Sequence, residues 1–374
     1  MLIGIEATRA NKPLKTGVEW YAWHMIQELK AITSGGDQSW ALYSDAPLTG
    51  GIEKLPPNWY EIRLPWPLKY GWTQTRLSWE LHRRAPDVLW MPGSTLPRVV
   101  PPRTVATVHD VGFHRFPEMY KPRQVRIHDF AHREIARKAA RILTVSAFSG
   151  REIAETYGID PAKIAVTPLG VDHDLYRPRM ADQGPAACMA RYRLPSPFIL
   201  AVGRIEEKKN IAMLVRAFTE YKTRRGVGEP LRLVLAGLPG YRYDAVREEI
   251  RRSAFKSDIV ELGYVPEADM PCLLNAAAAL VFPSRYEGFG LPPLQAMASG
   301  CPVLSSNAAS LPEVLGDAAA FFSPDEPEQL VGLLEKLMDD ATFGTGLRAK
   351  GLARAKSFTW RRTAELTLPA LTQW

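Results

Sequence analysis

From Val281 to Pro302 the chain reads VFPSRYEGFGLPPLQAMASGCP, and one carboxylate, Glu287, stands in an otherwise apolar, glycine-broken run. The pattern predicts a buried strand over Ala279 to Phe282, a loop carrying Glu287, and then a helix. Pro292 and Pro293 suit the first helical turn, where no backbone donor is lost, and Gly300 can close the far end. Backbone N–H groups of Gly288, Phe289, Gly290 and Leu291 would then face outward over a helix N-terminus, where negative charge is favoured. Glu287 can accept from hydroxyls, and Gln295, early in the helix, leans back toward the same place. This combination fits a polyhydroxylated, anionic ligand.

A second group lies upstream. A strand over Phe198–Gly203 leads into Arg204-Ile-Glu-Glu-Lys-Lys209-Asn210 and an apolar-periodic helix (Ile211, Leu214, Val215, Phe218), for which Asn210 is the expected N-cap. Arg204 and Lys209 occupy opposite ends of one short loop, so a guanidinium and an ammonium can meet on one anion. Such a pair could neutralise a diphosphate without a metal. The plain alternative is a solvated charged loop. Pairing with the Glu287 loop argues against it.

Together these segments resemble the retaining family-4 glycosyltransferases of the GT-B fold (glycosyl transferases group 1). Their mark is two glutamates, seven residues between them, around a GFGLP-like loop. The resemblance implies that Glu287 touches the donor sugar and that the second position binds the nucleotide ribose. That position holds Gln295 here. A glutamine still bonds a diol but forgoes a charge-assisted bond, worth about 1 kcal/mol over a neutral one. By the same resemblance Arg204 and Lys209 clamp the diphosphate, with Gly203 at the strand end beside them. Residues Gly288, Phe289, Gly290 and Leu291 line the donor, and Tyr264 and Val265, after ELGYV, meet the nucleobase. His109, in TVHD, lies beside the donor sugar, and Gly17, in TGVEW, permits close approach to a phosphate or sugar. Ser146 and Ser149 read more simply as helix-capping residues, and Glu313 as a structural one.

Short apolar strands alternate with amphipathic helices, the pattern of parallel α/β domains. Strands are expected at Leu2–Ile5, Trp40–Tyr43, Val88–Trp90, Thr104–Val108, Arg141–Val145 and Ile164–Thr167, and again at Phe198–Gly203, Leu231–Gly237, Ile259–Val265, Ala278–Pro283 and Pro302–Ser306. The proline-bearing stretch from Pro178 to Pro197 is the expected junction. The fold expected is a GT-B architecture of two Rossmann-like, doubly wound domains with a cleft between them. Residues 1–180 form an acceptor-binding domain, residues 181–356 a nucleotide-sugar-binding domain, and residues 357–374 a C-terminal helix packing back on the first.

At 374 residues, 46% hydrophobic and 23% charged, the composition is that of a globular protein. Cys188, Cys272 and Cys301 show no metal-ligand spacing and no disulfide framework, and a reducing cytoplasm is expected. MLIGIEATRA runs straight into a strand, with no expected signal peptide. The net charge of +7 favours anionic partners. Basic residues gather between Lys121 and Arg141. A second cluster mixes them with rings, from Trp66 through Lys69, Tyr70, Trp72, Arg76 and Trp79 to Arg84. Two readings stand: peripheral contact with an anionic membrane face, or solvated helix faces over core tryptophans.

The function expected is a metal-independent, cofactor-free, retaining hexosyltransferase. Its donor would be a nucleotide sugar, with GDP-mannose the guess, and its acceptor a hydroxyl of a glycan or lipid-linked molecule. The alternative is a catalytically weakened relative that binds a nucleotide sugar or an anionic surface. A dehydrogenase lacks its G-x-G-x-x-G turn, because Gly4 is followed by Ile-Glu-Ala. A nucleic-acid-binding module rests on charge alone, and no nucleic-acid partner is expected.

Overall fold

The computed structural model describes residues 1–68, 70–178, 185–194 and 196–374. Lys69 and positions 180 and 181, the expected domain boundary, lie outside the described residues, as does part of the expected junction. The chain forms two compact units. One comprises Met1–Gly170 with Trp360–Trp374, the other Val171–Thr359.

The first unit is built on a seven-stranded parallel sheet. Its strands are β1 (Leu2–Glu6), β2 (Ser39–Ser44), β3 (Trp59–Arg63), β4 (Val88–Met91), β5 (Thr104–Thr107), β6 (Arg141–Thr144) and β7 (Ile164–Val166), in the order β3-β2-β1-β4-β5-β6-β7. Runs such as VLWM are apolar at every position because helices cover both faces of such a sheet. Helix Gly17–Thr33 begins at Thr16, whose N–H donates to the Glu19 carboxylate at 3.2 Å, one arm of a capping box. The last helix, Trp360–Thr372, belongs to this unit. Its Trp360 stacks on His24 with ring centroids 4.6 Å apart. Thr363 Oγ1 donates to the Pro168 carbonyl at 2.6 Å.

The second unit carries β8 (Phe198–Val202), β9 (Arg232–Ala236), β10 (Ile259–Gly263), β11 (Ala279–Phe282), β12 (Val303–Ser306) and β13 (Ala320–Phe322), all parallel, in the order β10-β9-β8-β11-β12-β13. The strand order reverses between β8 and β11. Open α/β sheets bind ligands beyond the C-terminal strand ends beside such a reversal. β11 is buried throughout, with Phe282 the most exposed residue at 2%. Burying each such large apolar side chain contributes roughly 1.5–3 kcal/mol, so the loop that follows starts from a fixed point.

Asn210 stands at the start of helix Ile211–Arg225 but does not cap it with its side chain. Its backbone is left-handed at φ 56°, and Nδ2 instead donates to the Pro324 carbonyl at 2.8 Å. Cys272 is disulfide-bonded, against the expectation of no cross-link. One pairing among three cysteines leaves no spacing signature, and cysteine usage therefore no longer argues for a reducing compartment. Among the described residues no helix is long and apolar enough to cross a membrane.

Candidate active site

Two loops leave the second sheet on either side of the reversal, and both carry the residues singled out from the sequence. After β8, Gly203 takes φ +125°, a backbone that favours glycine. Gly237, at the end of β9, packs so closely that a Cβ there would lie 1.8 Å from the Gly203 carbonyl oxygen. The chain then bears Arg204, turns through Glu207–Lys209, and enters helix Ile211–Arg225. After β11, the segment Pro283–Gly290 carries Glu287 and reaches helix Leu291–Ala298, with its prolines in the first turn. The Arg285 N–H donates to the Lys208 carbonyl at 3.0 Å, tying one loop to the other.

That tie brings Lys209 and Glu287 together. Lys209 Nζ donates to Glu287 Oε1 at 2.5 Å, with 15% and 13% of the two side chains exposed. Ser284 Oγ donates to the same oxygen at 2.6 Å, and Ser310 Oγ donates to the Glu287 carbonyl at 2.9 Å. Both side-chain donors use Oε1, so Oε2 has no hydrogen-bond donor among the described residues. Lys209 Nζ also lies 5.1 Å from the Phe282 ring centroid. A cation held against a carboxylate and a ring face is pre-positioned, and an arriving phosphate would meet it already ordered.

Arg204 is exposed, and its aliphatic stem runs over Gly240, where a Cβ would come within 2.7 Å of Arg204 Cγ. No carboxylate pairs with it among the described residues. Glu207, by contrast, is held away by Arg242 at 2.9 Å. Gly290 sits at φ +101°, and Phe289 is 4% exposed and packs edge-on against Phe358, 5.9 Å away. Gly288 is likewise buried and Leu291 half-buried. Beyond β10, Tyr264 is exposed and Val265 buried.

Gln295 does not stand alone. Its Nε2 donates to Glu267 Oε1 at 3.3 Å, and the buried Tyr176 donates its phenol to the same oxygen. Burial holds the Glu267 carboxyl above the usual carboxylate range, and the Tyr176 and Gln295 donors pull it back. Glu267, Ser284 and Ser310 escaped the sequence reading. Each acts through a contact made by folding, and no spacing rule marks it.

In the first unit His109 follows β5. Burial pushes its imidazole down to about 4, so the ring is neutral near pH 7. Nε2 is buried with no hydrogen-bond partner among the described residues, and the ring stands edge-on to Tyr21 at 4.9 Å. Gly17 opens its helix, and a Cβ added there would meet nothing within 4 Å among the described residues. Beside it, Glu19 draws in Lys12 at 3.2 Å and Arg9 at 3.5 Å. Ser146 caps helix Ala147–Tyr157, accepting from the Ser149 N–H at 3.0 Å.

The profile of the Glycosyltransferase Family 4 domain matches residues 15–175, and that of Glycosyl transferases group 1 matches residues 191–354. An O-antigen chain mannosyltransferase B of Escherichia coli is 34% identical over 299 residues, 79% of this chain and 76% of that protein. Among solved structures, WaaG, a glycosyltransferase involved in lipopolysaccharide biosynthesis, superposes with a TM-score of 0.74 over all of both chains at 13% identity. Anabaena Alr3699/HepE, solved with UDP and glucose, superposes with a TM-score of 0.73 over 100% of this chain and 99% of that one, at 16% identity. These two share the fold of this chain, a GT-B pair of Rossmann-like domains. Matched across both halves, and by a relative that aligns over most of its length, the chain belongs to the family-4 glycosyltransferases and is a glycosyltransferase of the GT-B fold.

Proposed function

We propose that this enzyme moves a mannosyl group from a nucleoside diphosphate sugar, GDP-mannose, to a hydroxyl of a growing glycan or lipid-linked acceptor, with retention of anomeric configuration and without a metal. The observation that carries the reading is the Lys209–Glu287 pair at the strand reversal, with Arg204 on the same loop and no carboxylate paired to it among the described residues. The mannosyltransferase relative supports the sugar, and the neighbour solved with UDP supports a nucleotide leaving group.

In this reading the diphosphate enters beside Arg204 and Lys209, and the ammonium is shared between carboxylate and phosphate. Two cations then stabilise the charge that develops on the leaving oxygen, the main catalytic contribution. Glu287, oriented by Ser284 and Ser310, offers Oε2 to a sugar hydroxyl. The acceptor hydroxyl attacks on the face from which the diphosphate departs, and a departing phosphate oxygen takes its proton. His109, neutral near pH 7, can give or accept a hydrogen bond without adding charge.

The acceptor side is the first unit. A hollow of about 610 Å³ lies there between Tyr70, Leu96, Ile127 and Phe130, with Arg98 and Lys138 among its walls. Ile127 and Phe130 are 55% and 68% exposed on helix Pro122–Lys138, which also bears Arg123 and Arg126. Apolar residues flanked by cations fit the anionic face of a bilayer, and this patch is our assigned membrane contact.

The test is release of nucleoside diphosphate by purified protein offered a panel of nucleotide sugars. Turnover should be highest with GDP-mannose, and Lys209→Ala should lower kcat by about 10²–10³-fold while leaving the folded spectrum intact. Near-normal turnover in that variant removes the diphosphate clamp from the account.

A further inference from the structure

The residue that departs from the family pattern has a carboxylate as its neighbour. Gln295 and Glu267 share a hydrogen bond at 3.3 Å, and Tyr176 donates to the same Glu267 oxygen. These residues come from three places in one unit: the segment after Val171, the turn beyond β10, and helix Leu291–Ala298. Two donors on Oε1 leave Oε2 without a hydrogen-bond donor among the described residues, and it is not sealed from solvent. The Gln295 amide, with Nε2 turned to the carboxylate, likewise keeps its carbonyl oxygen as an acceptor.

A carboxylate oxygen that stays open to solvent keeps its lone pairs available to a ligand hydroxyl. Here one oxygen is locked and the other is offered. An anionic acceptor and a neutral one, side by side and fixed by a buried phenol, match the two O–H donors of a vicinal diol. Resting on the nucleotide-sugar reading above, we infer that Glu267 supplies the charged acceptor for the ribose hydroxyls of the donor, with Gln295 as its neutral companion. The charge that a glutamate at position 295 would carry has moved to the turn beyond β10.

The probes are GDP and UDP with their 2′-deoxy counterparts, titrated by calorimetry. The unaltered chain should prefer each ribonucleotide over its deoxy form. E267Q should weaken ribonucleotide binding about tenfold, the usual effect of losing a charge-assisted bond, and should erase the preference for ribose while leaving deoxynucleotide binding within about twofold. Q295E in the unaltered chain should weaken binding, because it sets two carboxylates against each other. In the E267Q background Q295E should restore binding, since the charge returns to one of the two positions. Equal weakening of ribo- and deoxynucleotides by E267Q would mark Glu267 as merely structural and overturn the assignment. Tighter binding in the single variant Q295E would overturn it too. No binding of either nucleotide to the unaltered chain defeats the nucleotide-sugar reading and this assignment together. Binding abolished by K209A but indifferent to E267Q defeats the assignment alone.

Discussion

Glu287 answers to three groups: the Lys209 ammonium, the Ser284 hydroxyl, and Ser310 on its own backbone carbonyl. The first neutralises it, and the other two set its direction. Ser284→Ala removes a bond to a charged acceptor, worth about 1.5–3 kcal/mol where geometry is good. That variant should raise KM for the donor sugar nucleotide roughly tenfold or more, with little change for the bare nucleoside diphosphate, and steady-state kinetics beside calorimetry would separate the two. A second residue-scale expectation concerns pH. His132, 4% exposed and set against Phe113 and Tyr157, has its imidazole pushed down to about 4 by burial. An unfolded histidine titrates near 6.5, so between about 6.5 and 4 the unfolded chain binds the extra proton and stability falls as pH drops. The loss from this one group is on the order of 3 kcal/mol. His132→Gln should flatten the dependence of Tm on pH across that window. An unchanged slope would show that the ring is not held neutral.

At the scale of elements, the site depends on close backbone contact at the ends of β8 and β9. A methyl group on Gly237 would collide with the Gly203 carbonyl, backbone against backbone, with no flexible side chain to yield. Gly237→Ala should therefore destabilise the second unit by about 2 kcal/mol or more and weaken nucleotide binding, whereas Gly17→Ala, with open space around it, should leave stability nearly unchanged. Thermal melts of the two variants side by side would check this. Much of the scaffold could be read in advance, because fully apolar runs such as those of β4, β8 and β11 announce a sheet covered on both faces. β3 and β13 escaped notice. Trp59–Arg63 lies at a sheet edge with a half-exposed pattern, and Ala320–Phe322 is too short for any periodicity. The site divides in the same way. Arg204, Lys209 and Glu287 sit on loops beside glycines and prolines that local chemistry demands, and so could be named from sequence. Ser310 and Glu267 take their roles only from what folding sets beside them. Gln295 was legible as a departure; its partner was not.

For the molecule as a whole, the proposed membrane patch and the proposed nucleotide site are assigned to different units and should separate in experiment. Phe130→Asp with Ile127→Asp should cut sedimentation with anionic vesicles severalfold, through lost apolar burial and added negative charge. Hydrolytic release of diphosphate without an acceptor, which draws only on the second unit, should be unaffected. Loss of both together would tie helix Pro122–Lys138 to folding instead of lipid.

The last helix belongs to the first sheet, and this reverses the order in which the two units can be finished. Residues 171–359 are contiguous, so that unit has all its parts as soon as its own stretch has left the ribosome. The unit begun first cannot set Tyr21 and His24 against Trp360 until residues 360–374 have been made. Newborn chains usually complete their domains from the front. Here the front must wait, with its basic, aromatic surface already made and its core still open on one side.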